Sequence, residues 1–82
     1  MMLGRQSACE RVVAFLLDMK VRMRGEAIKL PMSRQDIADY LGLTIETVSR
    51  TFTQLLDAGL IDLPSRRDVV VRNPAALDRI CA

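Results

Sequence analysis

At 82 residues, half of them hydrophobic, the chain can bury one modest core, and a second domain does not fit its length. A net charge of +2, from 12 basic and 10 acidic residues, is not a strongly basic nucleic-acid footprint and points to no partner by itself. With no histidine and only Cys9 and Cys81, far apart, the usual metal spacings are missing, so no metal, cofactor or disulfide framework is expected and neither cysteine is given a role.

Residues 1–6, "MMLGRQ", read as the tail of something that precedes a domain spanning residues 7–82. Ser7 and Glu10 have the spacing of a capping box, in which each side chain takes the other's backbone N–H, so a helix should start there. Apolar residues then recur at Val12, Phe15, Leu16, Met19 and Met23, the spacing of one buried helical face, and Gly25 should end it. The run "VVAFLL" is too short to span a bilayer and no signal peptide precedes it, so a cytoplasmic protein without membrane association is expected.

"AIKLP" reads as a short extended segment ended by Pro31, because a proline disfavours helix at the residue before it. Ser33 caps a second helix running to about Leu41, with Asp36 standing in for the glutamate of a full capping box. Gly42 supplies a left-handed turn, and Thr44 can cap a third helix almost at once. Ala38, Gly42 and Val48 then provide close approach, turn and packing for a helix-turn-helix.

The third helix, residues 45–56, should stop at Ala58 and Gly59. "LIDL" and "DVVVR" follow as strands around the turn "PSRR", and Asn73 with Pro74 opens a short terminal helix. The fold class expected is α+β and mainly helical: a winged helix-turn-helix with a three-helix core, a β-hairpin wing and a short C-terminal helix.

On the third helix, Glu46, Ser49, Arg50 and Thr53 form one stripe, opposite Val48, Phe52, Leu55 and Leu56. A recognition helix presents such a stripe to the major groove, where arginine can grip guanine O6 and N7 and glutamate can accept from cytosine N4. The competing reading is an ordinary i,i+4 ion pair of Glu46 with Arg50 on a solvated face. Ser33, Arg34, Thr44, Thr47, Thr53, Arg66 and Arg67 are the candidates for backbone or secondary contacts to double-stranded DNA, although Ser33 also serves as a cap and the two wing arginines could be a soluble turn. An alternative is a winged helix used as a protein–protein interaction module, with Ile45 as its apolar anchor. No acid, base and nucleophile set suggests an enzyme.

The stretch "LPMSRQDIADYLGLTIETVSRTFTQL" closely resembles the DNA-binding domain of the Crp/Fnr transcription regulators, FixK-like branch, and the likeness runs from "QSACERVVAFLL" through the wing. The resemblance implies that Glu46, Ser49 and Arg50, in the E-x-x-S-R run, read a TTGA-type half-site of an inverted repeat. It also implies a bacterial activator that is a homodimer at full length and touches RNA polymerase. An upstream sensor and dimerisation helix would then end in "MMLGRQ". The bare fragment, without a sustained heptad seam, is expected to be mainly monomeric.

Overall fold

The ends of the helices are set by local hydrogen bonds. In the computed structural model, which describes residues 7–25 and 27–80, α1 (Ala8–Met23) begins at Ser7, where both arms of the capping box form: Ser7 N–H to Glu10 Oε1 at 2.8 Å and Glu10 N–H to Ser7 Oγ at 3.2 Å. The tail expected in residues 1–6 lies outside the described residues.

The far end of α1 departs from expectation. The left-handed residue that stops it is Arg24, with φ 54°, and not Gly25. Gly25 N–H reaches the Lys20 carbonyl and Arg24 N–H the Val21 carbonyl, the two bonds of a Schellman motif. A side chain at such a position costs about 1–2 kcal/mol relative to right-handed backbone.

α1 buries Val12, Val13, Phe15 and Leu16, with Met19 packed at the edge of the core. Met23, placed in the buried stripe by its spacing, is 38% exposed because the last turn of α1 runs beyond the core.

The strand β1 (Ala27–Lys29) leads to α2 (Arg34–Leu41), and α3 (Ile45–Asp57) follows after Gly42, Leu43 and Thr44. Gly42 takes φ +73° as the turn demands. β2 (Ile61–Asp62) and β3 (Asp68–Val71) form the hairpin, and α4 (Pro74–Arg79) closes the chain from its Asn73 cap. The result is the α+β, mainly helical winged helix-turn-helix expected.

The wing is more than a hairpin. β3 is the central strand of an antiparallel sheet in the order β1-β3-β2, with Ile28 opposite Val69 and Ile61 opposite Val71. These four side chains are buried, so one face of the sheet roofs the helical core. α4 packs against α1 and contributes Leu77, which is fully buried.

α3 buries Val48, Thr51, Phe52 and Leu55, whereas Leu56, expected inside, is 39% exposed. Thr51 takes the buried flank instead, because its hydroxyl donates to the Thr47 carbonyl at 2.8 Å and needs no outside partner. A second correction concerns Cys9. Half-buried at the core margin, it is disulfide-bonded, and Cys81 lies outside the described residues.

Candidate nucleic-acid interface

α3 points its polar stripe away from the core. At about 100° per residue, Val48, Thr51, Phe52 and Leu55 cluster on one side, while Glu46, Arg50 and Thr53 lie opposite them and are exposed. Ser49 sits at the border of the two faces and is half-buried.

The ion pairs among the described residues are Asp18–Arg22 and Asp62–Arg72, so Glu46 and Arg50 are not paired with each other. The ordinary surface ion pair is absent, and both side chains keep their polar atoms for an external partner.

The hydroxyls divide into two groups. Thr44 Oγ1 accepts from Thr47 N–H at 3.2 Å as the cap and donates to Thr47 Oγ1 at 2.9 Å, so its hydrogen is spent on the Thr47 hydroxyl. Thr47 is left with a hydroxyl hydrogen to donate. Thr53 donates to the Ser49 carbonyl at 3.0 Å and therefore retains only acceptor capacity. Ser33 is a cap in fact: its Oγ accepts from Asp36 N–H at 3.2 Å, while Asp36 Oδ2 accepts from Ser33 N–H at 3.4 Å.

Beside α3 lies a cleft of about 600 Å³ lined by Ser33, Arg34, Gln35, Ile45, Arg66 and Arg67. It brings together four of the residues singled out as backbone contacts, one from a cap, one from the first turn of α2 and two from the wing. Glu46, Ser49 and Arg50 are not among its lining residues; they occupy the helix face beyond Ile45.

Four contacts hold this cleft. Leu30 N–H donates to the Arg67 carbonyl at 2.6 Å, tying the wing tip to the segment that enters α2. Ser65 Oγ donates to Asp68 Oδ2 at 2.6 Å, and the Asp62–Arg72 pair closes the base of the wing. Arg34 packs its guanidinium 4.8 Å from the centre of the Phe52 ring.

Gln35 was missed by sequence reasoning. Its position in the first turn of α2, next to Arg34, was the available signal, and its Nε2 donates to Asp39 Oδ1 at 3.1 Å. Among the described residues no cluster of His, Cys, Asp or Glu could hold a metal ion, and no helix is long and apolar enough to cross a membrane.

Residues 10–80 match the Crp-like helix-turn-helix domain family. The chain is 52% identical over 82 residues to the nitrogen fixation regulation protein FixK of Rhizobium meliloti, covering 99% of this chain and 39% of that protein. It is 53% identical over 87 residues to FixK of Azorhizobium caulinodans, covering 98% and 35%. Among solved structures, FixK2 from Bradyrhizobium japonicum superimposes with a TM-score of 0.86 at 47% identity, over 95% of this chain and 40% of that one. The chain thus spans less than two fifths of the length of the curated relatives it matches.

Proposed function

Because the chain belongs to the family of Crp-like helix-turn-helix domains, we propose that it binds double-stranded DNA sequence-specifically, as the DNA-reading part of a FixK-like transcription regulator. The observation that carries this reading is the exposed, unpaired Glu46 and Arg50 on the face of α3 opposite its buried stripe.

A carboxylate beside an arginine is a poor phosphate site, since it repels the polyanion. It suits the edge of a G·C pair, where arginine donates to guanine and glutamate accepts from cytosine N4. Ser49, at the border of the stripe, completes the set that reads a TTGA-type half-site.

Arg34, Arg66 and Arg67 then neutralise phosphates on either side of the cleft, with the Thr44–Thr47 pair presenting one further donor to a phosphate oxygen. Thr53, with acceptor capacity only, takes a base amino group in preference to a phosphate. The full-length protein is a cytoplasmic homodimer that activates transcription by touching RNA polymerase, and no catalysis is involved.

An alternative is a protein–protein interaction module, favoured by the 39% exposure of both Ile45 and Leu56 on α3. The two lie about 16 Å apart along the helix axis. They form no contiguous apolar patch of the kind an interface core needs.

Binding titrations on an inverted repeat, with and without a parallel coiled coil fused before Met2, test the proposal. The bare fragment should be mainly monomeric and bind one half-site weakly, and the fusion should bind the repeat far more tightly because its second contact is intramolecular. Inserting about five base pairs between half-sites should abolish the gain by rotating one of them to the opposite face. A gain independent of spacing, or equal affinity for a scrambled duplex, sinks the reading.

A further inference from the structure

α2 ends in a turn so short that Gly42 and Leu43 alone separate its last residue, Leu41, from Thr44, the cap of α3. The terminal carbonyls of α2 must nonetheless find donors. Leu43 N–H takes the Ala38 carbonyl at 2.8 Å and Gly42 N–H takes that of Asp39 at 3.4 Å.

The Leu41 carbonyl is served from elsewhere. Arg11, on α1, donates to it through Nη1 at 3.0 Å in a part-buried contact across 30 residues of sequence. The last turn of α2 has no basic residue of its own, so Arg11 is also the cation that complements the negative end of that helix. The guanidinium lies against the turn itself: a Cβ built on Gly42 would stand 3.5 Å from Nη1.

We infer that Arg11 is a positioning residue for the recognition helix, acting through the Leu41 carbonyl to fix the direction in which the chain leaves α2 and enters α3. The inference rests on the DNA-reading proposal above. A base-reading helix must present Glu46 and Arg50 within hydrogen-bonding geometry of base edges, whereas phosphate contacts tolerate a looser approach. Loss of the anchor should therefore weaken reading more than it weakens binding.

The test is the ratio of affinities for a TTGA-type half-site duplex and a scrambled one, measured on the 82-residue chain and its Arg11→Met variant, which keeps an apolar stem of similar length. The ratio should fall about tenfold, the scale of losing one well-formed side-chain pair to a base. Affinity for the scrambled duplex and its salt dependence should stay within about twofold of the parent.

A merely structural role lowers both affinities together and leaves the ratio unchanged, and that result overturns the inference. So does a fall of about one in the salt slope, which would make Arg11 a phosphate ligand. Should Arg11→Met fail to fold, Arg11→Gln, neutral and too short to reach the Leu41 carbonyl, is read by the same criteria. A parent that does not discriminate between duplexes defeats the DNA reading and this inference with it; a discriminating parent matched by its variant defeats this inference alone.

Discussion

Arg34 lies with its guanidinium 4.8 Å from the centre of the Phe52 ring, so the first residue of α2 rests on a fully buried anchor of α3. Its Nε is buried without a hydrogen-bond partner, while the side chain also lines the cleft. Arginine suits this site because it is weakly hydrated, stacks on aromatic faces and still offers the outer part of its fork. Arg34→Ala should lower unfolding free energy by about 1 kcal/mol. It should also reduce the slope of log affinity against log salt by about 1. Urea melts and salt titrations read the two effects separately, and an unchanged slope would remove Arg34 from the interface.

Arg50 is expected to carry sequence preference. Arg50→Ala should cost about 1–3 kcal/mol on the specific half-site and flatten discrimination at one base pair. Binding to random duplex should barely change. Equal losses on both duplexes would demote Arg50 to a phosphate contact.

Glu46 should separate the two kinds of binding by sign. Its carboxylate is repelled by phosphate unless a base donates to it, so Glu46→Ala should weaken specific binding while leaving nonspecific binding equal or improved. Competition titrations against random DNA measure the divergence. A uniform improvement on every sequence would show that Glu46 serves only the dipole of α3.

The wing arginines should act through salt alone. Replacing Arg66 or Arg67 by alanine should cut the salt slope by about 1 for each contact made, with sequence preference intact. A slope unchanged in both variants would place the wing tip away from DNA.

Leu77 tests whether α4 is an appendage or part of the core. It is fully buried, and Leu77→Ala should lower stability by about 2–5 kcal/mol. Chemical denaturation measures this directly. A loss below about 1 kcal/mol would mean that α4 docks too loosely to matter.

What could be read along the chain was what a few neighbouring residues decide. The Ser7–Glu10 and Ser33–Asp36 boxes, the Thr44 cap, the left-handed Gly42 and the Asn73–Pro74 start all formed where local chemistry put them. Pairing across long separations was illegible. Nothing in "AIK" announces that Ala27 will face Val70, nor that Arg11 will seek a carbonyl 30 residues away. Helical spacing also fails at the flanks of a stripe. It placed Leu56 and Met23 inside, but Thr51 became acceptable in the core only through its bond to Thr47, and the last turn of α1 outran the core. The candidate base-reading residues Glu46 and Arg50 were legible as part of an outward stripe, whereas the cleft that flanks them required the wing to fold back on Leu30.

The central position of β3 limits how the wing could be exchanged between relatives. A chimera that replaced the whole hairpin would import Ile61, Val69 and Val71, three of the four buried side chains of the sheet, into a core whose helices belong to another protein. The transplantable unit is the tip alone, residues 64–67. There the backbone carbonyl at position 67 makes the bond to Leu30, so side chains can be varied without losing the tie. Libraries built on this fold should place their junctions at Leu63 and Asp68, where the graft ends before the roof of the core begins.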